Sequence, residues 1–228
     1  MNISVIIPVY NEEQKIVQTI QAVRKRGRER IGEILVVDAD STDRTVERAQ
    51  SVGASVVDAS QKGRAAQMNY GAQQSQYEIL YFLHGDTLPP PGFAKKIIHA
   101  LRKGIDAGCF QLDFDRNHWL LSFYGWCTQF DINAFRFGDQ SLFVHRDVFF
   151  TINGFHEDHL VMEDNEIVRR IKKRHVFAIL DDTVITSARS YQRVGIVKLQ
   201  LVFVFIYLLY FLGVEQEYLV SLKHIFLE

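Results

Sequence analysis

Residues 3–9 run Ile3-Ser4-Val5-Ile6-Ile7-Pro8-Val9, and Tyr10-Asn11-Glu12-Glu13 follows at once. Seven residues, mostly β-branched, without a polar stripe predict a strand buried on both faces, the kind that occurs in parallel sheets. The abrupt change to Asn11-Glu12-Glu13 predicts a helix start, and Ile16, Ile20 and Val23 share one face of a helix expected to reach about Arg26. The same alternation repeats outward. A strand over Glu33–Val37 ends at Asp38, and a helix opens near Ser41 and Thr42, good N-cap residues, and stops at Gly53. Ala54–Val57 is a third strand, Arg64–Gln74 a third helix, and Glu78–Leu83 a fourth strand ending at His84-Gly85-Asp86. Pro89-Pro90-Pro91-Gly92 breaks the chain before a helix over Phe93–Arg102. Repeated strand–helix units predict an α/β fold with a mainly parallel sheet flanked by helices.

Past residue 106 the alternation weakens. Gly108–Phe114 and Gln140–Val144 read as strands around a Trp119–Phe130 helix. Glu163–Lys173 reads as a helix, and Val176–Leu180 and Val184–Ile185 as two short strands. The expected organisation is one domain over residues 1–195, with a nucleotide-binding half (1–106) and an acceptor half (107–195), followed by an apolar helical extension (196–228). The run Leu201–Val214 is apolar or aromatic throughout apart from Gly213. Its 14 residues fall short of the roughly 20 that cross a bilayer. A helix apolar on all sides must be covered, which leaves the core, a homodimer interface or a membrane surface.

Bulk properties narrow the partners. The 228 residues carry 26 Lys and Arg against 27 Asp and Glu, a net charge of -1, so no overall basic footprint for nucleic acid exists. Any anion must be bound by local groups. Cys109 and Cys127 lack metal-ligand spacing and are expected to be buried apolar residues. The apolar start lacks the basic opening of a signal peptide, so a cytoplasmic protein is expected, with peripheral attachment to the membrane through its tail as the alternative.

Three polar clusters close three strands: Pro8-Val9-Tyr10-Asn11-Glu12, Asp38-Ala39-Asp40-Ser41-Thr42-Asp43 and His84-Gly85-Asp86-Thr87. In open α/β sheets ligands collect at such carboxyl ends, so the three loops are expected to converge on one cleft. Acids at a strand end can bind a base or ribose, but Asp40 and Asp43 can equally cap the following helix.

Together these motifs resemble glycosyltransferase family 2, whose members have the GT-A fold. The likeness lies in Val5–Glu13, Ile34–Asp43, Gly63–Ala72, Phe82–Thr87, Gly138-Asp139-Gln140 and Met162-Glu163-Asp164, in the family's order and over roughly residues 1–195. It is most similar to a bacterial subgroup with His-x-Asp in place of Asp-x-Asp. The resemblance implies that Pro8, Tyr10 and Glu12 line a nucleotide pocket and that Asp38, with Asp40, binds base or ribose. Ala39 departs from the second acid many relatives carry, which leaves the base open. Lys62 and Arg64 beside Gly63 are candidate phosphate or ribose contacts, and Gly85 belongs to the same donor loop.

A nucleoside diphosphate needs local neutralisation, for which a divalent cation on carboxylate oxygen is suited. Asp86 is the expected metal ligand and His84 the second candidate. An imidazole there tolerates Mn²⁺ better than Mg²⁺. The resemblance makes Asp164 the expected base for the acceptor hydroxyl, with Glu163 second, although acids at a helix start need no function beyond the helix dipole. Asp139 and Gln140 are candidate sugar or acceptor contacts. Arg189 and Arg193, in Ser187–Arg193, are candidate stabilisers of the leaving diphosphate. That segment departs from the Gln-x-x-Arg-Trp of processive synthases, so transfer of a single sugar is expected. The function implied is inverting, metal-dependent transfer from a nucleotide-sugar donor to a hydroxyl acceptor, lipid-linked or small. The alternatives are a sugar-phosphate nucleotidyltransferase and a catalytically degenerate nucleotide-sugar binding protein.

Overall fold

The structure, a computed structural model, describes residues 1–59, 61–136 and 138–227. The first half runs β1 (Ile3–Val9), α1 (Ile16–Gly27), β2 (Ile31–Asp38), α2 (Thr45–Ser51), β3 (Ser55–Asp58), α3 (Arg64–Gln74), β4 (Ile79–Phe82), β5 (Thr87–Leu88) and α4 (Phe93–Arg102). The second half runs β6 (Ala107–Phe114), α5 (Trp119–Cys127), β7 (Leu142–His145), α6 (Arg146–Thr151), α7 (Glu163–Lys172), β8 (Phe177–Thr186), α8 (Arg189–Val194), α9 (Ile196–Phe211) and α10 (Gln216–Leu227).

These strands form one mixed sheet in the order β3-β2-β1-β4-β7-β6-β8-β5. In the first half β1, β2, β3 and β4 pair in parallel, while β5 pairs antiparallel with β8, and β7 joins antiparallel to both β4 and β6. All seven β1 residues are buried. Ile3, Val5 and Ile7 pack with Ile16, Ile20 and Phe93 on one face, and Ile6 packs with Met68 and Phe149 on the other. Gly71 is where α3 meets the sheet: a Cβ there would lie 2.5 Å from Ile6 Cγ2 and 2.9 Å from Val37 Cγ2. Only a residue without a side chain permits that approach.

Several expected boundaries move for identifiable reasons. The first helix starts at Ile16 instead of Asn11, because Asn11 is left-handed (φ 55) and the Asn11, Glu12 and Glu13 amides donate to Ser41, Thr45 and Asp43. The second starts at Thr45, because Ser41 is held by Asp38 and Thr42 by Asn11. The two short strands expected near the C-terminal end are one strand, β8, bulged at Asp181 and Asp182, where Asp182 pairs with Lys96. Gln140 lies in a 3₁₀ turn (Gly138–Gln140), so β7 begins at Leu142. The helix expected over 119–130 ends at Cys127, and β5, α6 and α8 were not anticipated.

The apolar run is α9, and it is covered on one side only. Leu199, Val202 and Ile206 are buried, the last two against Val161 and Leu219 of α10, whereas Leu201, Leu208 and Leu212 are exposed. Among the described residues, no helix is long and apolar enough to cross a membrane.

Candidate active site

The loops after β1 and β2 are tied together through their polar side chains. Asp38 accepts from the Ser41 amide at 2.9 Å and from the Ser41 hydroxyl at 2.5 Å. Asp43 accepts from the Thr45 amide at 2.9 Å and the Glu13 amide at 3.1 Å. Buried Gln67, on α3, clamps both strand ends by donating to the carbonyls of Val9 (2.9 Å) and Val37 (2.7 Å). The result is a rigid rim at the carboxyl edge of the sheet.

A cleft of about 520 Å³ opens beside that rim. Pro8, Tyr10 and Glu12 of the first loop line it, with His84, Gly85 and Asp86 from the loop after β4. Gly85 packs tightly, since a Cβ would stand 3.2 Å from Val9 Cγ1 and 3.3 Å from Glu12 Cγ, which would have to give by a few tenths of an ångström. Arg64 enters from the start of α3, Asp139 from the 3₁₀ turn, and Arg189 and Arg193 from α8. The C-terminal helices add Phe203 and Lys223, residues that no motif had marked. Carboxylates and cations thus face each other across one opening.

The ion pairs divide these groups into two sets. Arg189 grips Glu12 through both terminal nitrogens, one at 2.8 Å from Oε2, and reaches Asp86 Oδ2 at 3.3 Å. Arg64 lies 2.7 Å from Oε1 of buried Glu163. Between them, His84 Nδ1 is 2.8 Å from Asp139 Oδ1. Burial alone would lower the His84 pKa, but the Asp139 hydrogen bond and charge outweigh it and hold the imidazole above its ordinary value. Burial likewise opposes the charge on Asp139, and the His84 contact, with Arg64 and Arg189, keeps it below the ordinary range. Asp86 goes the other way: burial, reinforced by the charge on Asp139, pushes it up to about 6. Asp164 is also pushed up, by burial and then by Glu163.

Asp164 and Glu163 line a second chamber of about 590 Å³, which meets the first at Arg64, Asp139, Tyr191, Phe203 and Lys223. Most of the expected residues are therefore gathered around two connected cavities. Four are not. Asp38 is 4% exposed, does not line either cavity and has both carboxylate oxygens on Ser41. Asp40, at φ 65, is exposed and pairs with exposed Lys62 at 3.5 Å, again outside the cleft. Gln140 is buried, donating to the Phe110 carbonyl and accepting from Arg136 at 3.1 Å, so it braces β6 instead of facing the opening.

The donor set suits a divalent cation that takes most of its ligands from phosphate and water. Asp86 offers a carboxylate, and the His84–Asp139 bond leaves Nε2 as the imidazole's potential ligand atom, oriented by the carboxylate as in many metal sites. Among the described residues, the one group of three acids, cysteines or histidines whose ligand atoms all approach within 4.8 Å is His156, Asp158 and His159, which does not line the cleft.

Comparison with known proteins agrees with this geometry. The family model described as Glycosyl transferase family 2 matches residues 4–159. Dolichol-phosphate mannosyltransferase of Pyrococcus furiosus is 30% identical over 111 residues, 46% of this chain and 32% of that protein. The chain thus aligns with about a third of that relative's length. Among solved structures, S. aureus TarS 1-349 superposes with a TM-score of 0.68 at 16% identity, covering 83% of this chain and 61% of that one. The mannosyltransferase PcManGT from Pyrobaculum calidifontis, in complex with GDP-Man and Mn²⁺, gives 0.66 at 16% identity, covering 85% and 60%. At these identities the structures establish a common fold.

Proposed function

This chain belongs to glycosyl transferase family 2, and from that membership we propose that it transfers a single sugar, with inversion, from a nucleotide-sugar donor to a hydroxyl acceptor. The observation that carries the proposal is the pair of joined cavities: Asp86 and the Arg189–Glu12 pair line one, Asp164 lines the other, and Arg64 and Asp139 stand at their junction. The donor diphosphate lies in the first cavity. Arg64, Arg189 and Arg193 supply charge-assisted hydrogen bonds to its oxygens, which matter most as the sugar departs. Asp86, with His84 as second ligand, would hold a divalent cation, which would supply further neutralisation. The Mn²⁺ and GDP-Man bound by PcManGT support a divalent cation beside the donor, without bearing on which residues hold it.

Asp164 accepts the acceptor's proton as its oxygen attacks the anomeric carbon from the face opposite the diphosphate. An elevated carboxylate pKa makes Asp164 a stronger base than an exposed aspartate while it is still ionised near neutral pH. Asp139 holds His84 and, partly exposed, faces the sugar. Lys62, Asp40, Asp38 and Gln140 are assigned supporting roles, the first three around the nucleotide end. The exposed face of α9 is assigned to peripheral membrane contact or to a homodimer, which liposome co-sedimentation and mass in solution distinguish.

A thermal-shift screen of nucleoside diphosphates and their sugars, with and without Mn²⁺, tests the donor class. Donor-dependent release of nucleoside diphosphate, abolished in Asp86→Ala, is the expected result. Unchanged release in that variant removes the metal assignment. Pyrophosphate release would favour the nucleotidyltransferase alternative, and binding without turnover the degenerate binder.

A further inference from the structure

The second cavity differs from the first in what surrounds it. Its walls are Phe123 and Cys127 of α5, Ala134 of the 3₁₀ turn Asn133–Phe135, and Val204, Ile206 and Tyr207 of α9. Two acceptor atoms of its lining have no donor: Oε2 of Glu163, whose Oε1 is taken by Arg64 at 2.7 Å, and Oδ1 of Asn165, and both residues are 2% exposed. Buried acceptors without donors are costly, about 1–3 kcal/mol each, and their persistence in the lining of an apolar chamber points to a ligand that brings a donor.

We propose that this chamber binds the acceptor, and that the acceptor is an alcohol with an apolar body, its hydroxyl lying against Glu163, Asp164 and Asn165. The proposal rests on the transferase function above and adds the substrate class. Continuity with the donor cleft at Arg64, Asp139 and Phe203 places such a hydroxyl where the donor's sugar would enter. In the transfer, the acceptor oxygen forms its bond to the anomeric carbon as the bond to diphosphate breaks. The hydroxyl proton passes to Asp164, and the electron pair leaves with the diphosphate. A chamber of about 590 Å³ is in the range that encloses a drug-sized molecule, so a compact terpenoid or aryl alcohol fits inside it. A longer polyprenyl chain would have to extend beyond the chamber.

The test is calorimetric titration of the full chain, without donor, with geraniol and 2-(2-naphthyl)ethanol, and with glycerol and xylitol as polar controls. Saturable binding of the two apolar alcohols at or below about 1 mM is expected, with none for the polyols. Ala134→Trp and Val204→Trp fill the chamber from two different elements, so misfolding of one, detected by its melting curve, leaves the other to decide. Each is expected to weaken alcohol binding at least tenfold while leaving the thermal shift produced by nucleoside diphosphate and Mn²⁺ unchanged. Vesicles carrying a long-chain polyprenol form the second arm: binding there but not to free geraniol identifies the source as a membrane lipid, and binding to both identifies a soluble alcohol as sufficient. Equal binding of polyols, or apolar binding untouched in both variants, overturns the proposal. Failure of every nucleotide to shift the melting point would instead sink the transferase assignment and leave the alcohol titration to stand by itself.

Discussion

Asp43 in the loop after β2 and Asp86 and Asp164 at the cavities are chemically the same, yet their surroundings drive them in opposite directions. In the loop after β2, Asp38 and Asp43 accept hydrogen bonds from neighbouring backbone and hydroxyl donors. Burial alone would raise Asp43, but the Thr45 and Glu13 donors outweigh it and hold its pKa below the ordinary value. Around the cavities, Asp86 and Asp164 lose water without gaining matching donors, and burial pushes both up. A carboxylate surrounded by its own loop's donors builds the rim. One left short of donors is available to a cation or a proton.

The sharpest attack on that contrast is Asp164→Asn, expected to lower turnover by about 10² to 10⁴ while donor binding holds and the fold stays at least as stable as the wild type. Full activity would remove Asp164 as the base. With the wild type, the acidic limb of the rate profile should lie above the ordinary carboxylate range, because protonated Asp164 cannot accept the acceptor's proton.

Asp86 offers a second, thermodynamic test in the absence of divalent cation. Its folded value of about 6 exceeds the ordinary 3.8, so folding favours the protonated form. The benefit is fully present below pH 3.8 and is lost as pH rises through about 6. Asp86→Asn should therefore melt higher than wild type at pH 8, by at most about 3 kcal/mol, with the gain vanishing near pH 4. A gain that is the same at both pH values would show that the charge is not strained.

Asp38→Ala should cost about 1–3 kcal/mol of stability by freeing Ser41 and leave the donor KM nearly unchanged. A stable variant with KM raised tenfold would place Asp38 at the nucleotide and break the division drawn here. The smallest effect is expected at Asp43→Ala, about 1 kcal/mol, with activity retained. Since the Asp43 pKa is depressed in the fold, that loss should be present above pH 3.8 and should fade as the pH falls further.

Much of the first half was legible because β1 and β4 are buried along their whole length and the helices there carry a 3.6-residue stripe. Local pattern and final environment agree in that region. The Arg64–Gln74 helix appears with the expected limits, and the order of strands and helices through Arg102 is as read except for the short β5, which the reading missed. Loop chemistry was harder to read. Asn11, Ser41 and Thr42 look like helix starts, but they bond to one another across 30 residues, a contact that a pattern within either loop does not encode. The merging of two short strands into β8 depends on β6 lying alongside, with Asp181 and Asp182 bulged out of register.

By itself, the amino-acid order determined the α/β class, the family likeness and the convergence of acids and bases on the carboxyl edge of a sheet. Periodicity and strand-end position are local properties that survive whatever the chain packs against. Tertiary structure alone decided which acids face the opening and which are bonded away, and it brought Phe203 and Lys223 from the C-terminal helices to the cleft. It also left α9 covered on a single side. These outcomes depend on which donors and surfaces meet after the chain has closed, and electrostatic and packing energies are set by such distances, not by residue type.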